Sequence, residues 1–140
     1  MRLFLLDTDI LSLFRSRDPR VCERAATHHR QELATSVITV EEQLSGWYSV
    51  LRQAKQDEQL VAAYQGLTRT VQFLSRLQII SFSAKAAARF AEFRKARLKI
   101  KTMDLRIACV ALEAGAMLVT RNRADFEVVP GLEQIGRAHV

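Results

Sequence analysis

The chain has 140 residues, 49% apolar and 26% charged. That length suits one domain with a real core, and the composition excludes disorder, collagen-like repeats and low complexity. The net charge is +6, and residues 84–101, with seven basic side chains and one acid, account for all of it, which points to a polyanion partner.

Cys22 and Cys109 stand far apart in no CxxC pair. Neither a disulfide framework nor a cysteine zinc site is expected. Met1 to Leu6 starts like a secretory leader, but Asp7 and Asp9 end the apolar run after four residues. That is too short for a leader core or a membrane span. A cytoplasmic protein without membrane association is expected.

Residues 2–6 (RLFLL) read as a buried strand of a parallel sheet. Ile10, Leu11, Leu13 and Phe14 follow at helical spacing. Asp18-Pro19 opens a helix running to about Gln31, with Asp18 as N-cap and Pro19 at the first helical position. Residues 33–38 predict a second strand. Thr39 then caps a helix, and Glu42, three residues on, makes a capping-box pattern.

Residues 40–54 and 57–77 read as two long helices with a turn at 55–57. Residues 78–82 predict a third strand, and Ser83 caps a basic helix over 84–97. A helix from 102 or 103 to 114 stops at Gly115. Residues 116–120 predict a fourth strand, 122–130 read as irregular, and 132–135 form a last edge strand. Strands alternating with helices imply right-handed crossovers and a parallel sheet covered on both faces. A three-layer α/β/α domain over residues 1–140, with a central parallel sheet, is the expected fold.

Ligands of open parallel sheets bind at the carboxyl ends of strands. Asp7 ends the first strand there. Glu42 rides on the helix after the second, and Asp104 opens the helix that feeds the fourth. Thr120, Asn122 and Asp125 follow the fourth. Carboxylates gathered at one rim repel each other unless protons or a divalent cation neutralise them. Oxygen ligands without His or Cys select Mg²⁺ or Mn²⁺. An acidic site in a basic protein suits a metal-dependent nuclease. Each acid also has a structural reading: Glu42 closing the Thr39 capping box, Asp7 and Asp104 favouring helix starts, Asp125 in a turn.

Four segments resemble the PIN-domain ribonucleases, in particular the VapC-type toxins of bacterial toxin–antitoxin pairs. They are Leu6-Asp7-Thr8-Asp9-Ile10-Leu11-Ser12, Ser36 to Gly46 around Glu42, Met103 to Leu112 around Asp104, and Leu118 to Phe126. The spacing from Thr39 and to Gly46 selects Glu42 over Glu41. Position 9 is Asp where the family usually has Asn. Position 122 is Asn where some members place a fourth acid, a charge Asp125 could supply instead.

The resemblance implies Mg²⁺- or Mn²⁺-dependent cleavage of RNA, a small antitoxin partner and a homodimer. Asp7, Glu42 and Asp104 would hold the metal, with Asn122 and Asp125 completing the shell and Asp9 as a supporting acceptor. Thr39 and Thr120 are candidates to hold a water or the phosphate. Arg94, Lys95, Arg97, Lys99 and Lys101 would track the RNA backbone. Trp47, Tyr48, Val50 and Leu51 on one long helix, and Leu60, Val61, Tyr64, Leu67 and Val71 on the next, read as a helical-hairpin seam. Its surplus would form a groove for an antitoxin helix or a dimer surface.

Two alternatives remain open. A non-cleaving PIN-like module would bind nucleic acid without metal. A haloacid-dehalogenase-like phosphatase would use Asp7 of Asp7-Thr8-Asp9 as nucleophile, although Leu11 stands where that family has Thr or Val. Adjacent His28 and His29 point about 100° apart on a helix and would not share a metal. His139, beside the C-terminus, is expected to be mobile. Cys109 reads as a small core residue.

Overall fold

The computed structural model describes residues 2–136; His139 lies outside them. Five short strands form the sheet: β1 (Phe4–Leu6), β2 (Leu33–Ser36), β3 (Gln78–Ile80), β4 (Met117–Val119) and β5 (Gln134–Ile135). All neighbours are parallel, in the order β3-β2-β1-β4-β5. The chain builds outward from β1 through β2 to β3, then crosses to the other side for β4 and β5. Connections that leave β1 in opposite directions open a crevice at the carboxyl ends of β1 and β4.

Among the described residues seven α-helices flank the sheet: α1 (Thr8–Arg15), α2 (Pro19–Ala25), α3 (Val37–Gln53), α4 (Asp57–Leu74), α5 (Ala84–Lys95), α6 (Thr102–Ala114) and α7 (Arg123–Phe126). Strand alternation divides the core. Leu5 and Leu118 pack to one face with residues of α5, α6 and α7. Leu6 and Val119 pack to the other with α1, α2 and α4. The three-layer α/β/α expectation holds. In α6, Leu105 and the run Ile107 to Ala111 are buried, Cys109 among them, and burial pushes its thiol up to about 11. Gly115 ends α6 at φ 62°, the left-handed conformation that glycine adopts at least cost. No helix among the described residues is long and apolar enough to cross a membrane.

Several boundaries differ from expectation. The second helix stops at Ala25 rather than near Gln31. Beyond it His28 lies 4.5 Å from the Phe4 ring centroid, and its Nδ1 is 3.1 Å from Glu32. Residues 123–126 are helical rather than irregular. The helix after β2 begins at Val37, and its cap is Ser36, whose Oγ accepts from the Thr39 amide at 3.0 Å. Thr39 is therefore inside the helix, and the Thr39–Glu42 capping box does not form. Ser36 has the extended backbone (φ −89°, ψ 154°) a cap needs.

The α3–α4 seam is also not the expected one. Tyr48, Val50, Leu60, Val61, Tyr64 and Val71 face solvent, whereas Ala63, Gly66, Thr70 and Leu74 are buried. Small residues let the helices approach closely, and the Trp47 ring lies flush against Gly66. A Cβ at Gly66 would occupy the space of that ring. Gly66→Ala is expected to lower stability by about 2 kcal/mol through overpacking, read as a lower urea midpoint at unchanged slope.

Candidate active site

Asp7 follows β1 at the crevice and is 4% exposed. Its amide donates to Val119 O at 2.9 Å, which ties the end of β1 to β4. Its Oδ1 accepts from the Thr8 amide at 2.7 Å, and its Oδ2 accepts from Thr120 Oγ1 at 2.8 Å. Burial still pushes its carboxyl above the usual range against both hydrogen bonds.

Glu42 lies in the second turn of α3. Its Oε1 accepts from Thr8 Oγ1 at 2.8 Å. This bond to α1 takes the place of the expected capping bond and turns the carboxylate toward Asp7. Burial raises the Glu42 carboxyl, and Asp7, Glu41 and Asp9 add to the rise. Asp104 stands in the first turn of α6, after Lys101 at the N-cap. It is pushed up to about 6, first by burial and then by the negative charges of Asp7 and Glu42. Lys101 pulls the other way, and Asp125 adds a smaller upward push.

One cleft of about 430 Å³ is lined by Asp7, Asp9, Glu42, Asp104, Asn122 and Asp125, with Thr8 and residues 101–103 completing its wall. Four chain segments, the first and last more than a hundred positions apart, thus meet at the crevice. Asn122 Nδ2 donates to Asp9 Oδ2 at 3.2 Å. With the nitrogen so engaged, the Asn122 carbonyl oxygen is the atom left for a ligand. Asp125 is exposed on α7.

Thr39 and Thr120 are both fully buried, so neither reaches a bound water or phosphate as expected. Thr120 holds Asp7 from behind and accepts from the Asn122 amide at 3.0 Å. Thr39 bonds the Ser36 hydroxyl at 3.2 Å. The sequence reading missed Thr8, whose hydroxyl positions Glu42. Its signal was a hydroxyl residue directly after the strand-end acid.

The basic residues are divided between the cleft, a neighbouring hollow and the open surface. Lys101 lines the acidic cleft. Arg94 and Arg97 line a separate hollow of about 420 Å³ that meets the cleft at Thr102. Arg94 lies over the Phe90 ring. Lys95 pairs with Glu92 at 3.7 Å, and Lys99 is exposed.

The donor set is all oxygen; no imidazole or thiol lines the cleft. Such a set suits Mg²⁺ or Mn²⁺ rather than Zn²⁺. Among the described residues, no three acidic, imidazole or thiol side chains stand close enough together to hold a metal ion by themselves. An open acidic cleft is compatible with an ion that keeps several waters. Burial first, and then repulsion from Asp7 and Glu42, raises Asp104, and that repulsion is the charge excess a dication would neutralise.

The raised Asp104 carboxyl makes stability depend on pH. The folded chain holds the Asp104 proton up to about pH 6, whereas the group ordinarily loses it near 3.8. Its contribution is therefore most favourable below pH 3.8 and is lost as pH rises through 6. Without divalent ions at pH 7.5, Asp104→Asn is expected to raise stability by about 1 kcal/mol after solvent screening is allowed for. The gain should disappear by pH 4 in thermal melts.

A PIN domain model matches residues 4–132. Ribonuclease VapC2 of Haemophilus influenzae is 30% identical over 136 residues, covering 94% of this chain and 96% of that protein. Ribonuclease VapC2 of Rickettsia felis is 44% identical over 64 residues, 43% of this chain and 48% of that protein. The VapBC2 structure from Rickettsia felis, bound to a DNA fragment of its promoter, superposes with a TM-score of 0.73. It is 28% identical and covers 96% of this chain and 98% of that one. These matches leave no place for a haloacid-dehalogenase-like phosphatase. With its parallel sheet, acidic crevice and matching relatives, the chain belongs to the PIN-domain family.

Proposed function

We propose that this chain is a metal-dependent endoribonuclease, the cytoplasmic toxin of a toxin–antitoxin pair. The observation that carries the reading is the convergence of Asp7, Glu42, Asp104 and Asp125, from four separate segments, on one cleft at the sheet's switch point. The ribonuclease relatives support the same reading.

In it, Asp7, Glu42 and Asp104 hold the ion, and Asn122 and Asp125 complete its surroundings. When bound, Mg²⁺ or Mn²⁺ supplies Lewis-acid activation of water and neutralisation of charge at the scissile phosphate. Thr120 fixes Asp7, Thr8 fixes Glu42, and Asp9 orients Asn122. Lys101 sits where it attracts a phosphate entering the cleft, and Arg94 and Arg97 extend positive charge along the neighbouring hollow. Lys95 and Lys99 add general attraction from the exposed surface. The partners are RNA, a small antitoxin and a second copy of the chain. The solvent-facing apolar side chains of α3 and α4 supply surface for such protein contacts.

The test is RNA cleavage by the purified chain with Mg²⁺ or Mn²⁺, with and without chelator. Cleavage should stop on chelation and return on adding metal. Glu42→Gln should lower the rate by about a hundredfold, while Glu41→Gln, a residue that does not line the cleft, should keep most of the activity. Cleavage indifferent to chelation overturns the metal role. Metal-independent RNA binding without cleavage identifies a non-cleaving module instead.

A further inference from the structure

A second hollow, of about 500 Å³, lies away from the acidic cleft. Arg15, Arg17, Arg69 and Arg76 line it, together with Trp47 and Phe73. No acidic side chain lines it, and none of the four arginines takes part in an ion pair among the described residues. Arg15 is pinned: its Nη1 donates to Thr70 Oγ1 at 2.6 Å, and the Trp47 indole N–H donates to the same oxygen at 2.8 Å. Arg17 holds a left-handed backbone at φ 63°, a conformation that costs a non-glycine residue about 1 kcal/mol. Four guanidinium groups around one concavity repel each other until an anion enters, and guanidinium matches phosphate by paired N–H donors.

We propose that this hollow is an accessory phosphate site that grips the RNA strand at a distance from the cut. The inference rests on the ribonuclease reading above. Continuity with the cleft favours RNA over an acidic peptide. Helix α1 carries Thr8 in the cleft and Arg15 in the hollow, seven residues and about 10 Å apart. Between them Gln43 Nε2 donates to Ser12 Oγ at 3.3 Å, which places polar side chains of α1 and α3 on the stretch between the two sites. Trp47 and Phe73 give the hollow an aromatic lining on which a base can stack. The consequence is selection for length. A substrate must extend past the cut to reach the arginines.

The test compares wild type with the triple variant Arg17→Gly, Arg69→Ala, Arg76→Ala. Glycine relieves the left-handed backbone at 17, and alanine is well tolerated in the exposed helix at 69, so the fold is kept. The substrates are a hairpin RNA of about thirty nucleotides and a dinucleotide, which is too short to span the two sites. For the hairpin, KM should rise about tenfold with kcat unchanged, and the salt dependence should weaken by about two units of log–log slope. Dinucleotide kinetics should not change, and Arg69→Lys with Arg76→Lys, which keeps the charge but not the paired donors, should lose only part of the hairpin affinity. An unchanged hairpin KM and slope, or an equal loss on both substrates, overturns the proposal.

Hairpin binding measured by fluorescence anisotropy separates the two readings. If wild type cuts nothing, the nuclease reading fails, yet about tenfold weaker binding by the triple variant still supports the site. Loss of polyglutamate binding with RNA binding unchanged makes the hollow a protein surface and overturns it.

Discussion

Asp7→Asn is expected to reduce RNA cleavage by about a thousandfold while leaving the fold intact. Asparagine keeps the shape of aspartate. Its amide oxygen accepts from the Thr8 amide as Oδ1 does, and its nitrogen donates to Thr120 Oγ1, where Oδ2 now accepts. The change removes the charge and, with it, the acceptor of the buried Thr120 hydroxyl. A buried carboxylate raised by desolvation is not a stabilising group, and relief of that charge burial offsets the lost Thr120 bond, so the melting temperature of the metal-free variant should change little at neutral pH. The two readouts together separate a functional acid from a structural one. Full activity in a folded Asp7→Asn protein would remove Asp7 from the chemistry.

Phe126→Ala is expected to be the most destabilising single change named here. Phe126 closes α7 and is wholly buried against the α6 side of the core. Truncating such a ring typically costs about 3–5 kcal/mol through lost burial and the cavity left behind. For a chain of this size the melting midpoint should drop by roughly 10 °C or more. Phe126 also anchors the short helix that carries Asp125, directly after Asn122. Activity measured well below the new midpoint should therefore fall too. Phe126→Leu, which refills most of the volume, should recover most of both losses. A Phe126→Ala protein with an unchanged midpoint would mean that α7 is not held by this ring.

The order of strands and helices was legible in the sequence because local signals agreed. Apolar runs at 2–6 and 116–120 mark strands buried on both faces, Asp18-Pro19 starts α2, Ser83 caps α5 through the Ala86 amide, and Gly115 ends α6. The acids at strand ends were legible for the same reason, since a charge after an unbroken apolar run needs a special setting. Where two caps competed, the sequence was ambiguous. Ser36 and Thr39 both suit the start of α3, and Thr39 followed by Glu42 matched a capping box. Only packing decided for Ser36, by burying Ile38 and Thr39 as helical residues.

By itself the sequence determined the strands and the longer helices, though not α7 or the end of α2, and with their alternation the parallel sheet, because periodicity and capping act over a few residues. It also supplied the acids and the excess of positive charge. Tertiary structure alone decided what those charges do. It turned Glu42 from a cap into a cleft residue through Thr8, hid Thr120 behind Asp7, turned the large apolar side chains of α3 and α4 outward, and gathered arginines 15, 17, 69 and 76 into one hollow. These outcomes depend on contacts between positions tens of residues apart, and distance along the chain carries no record of distance in space.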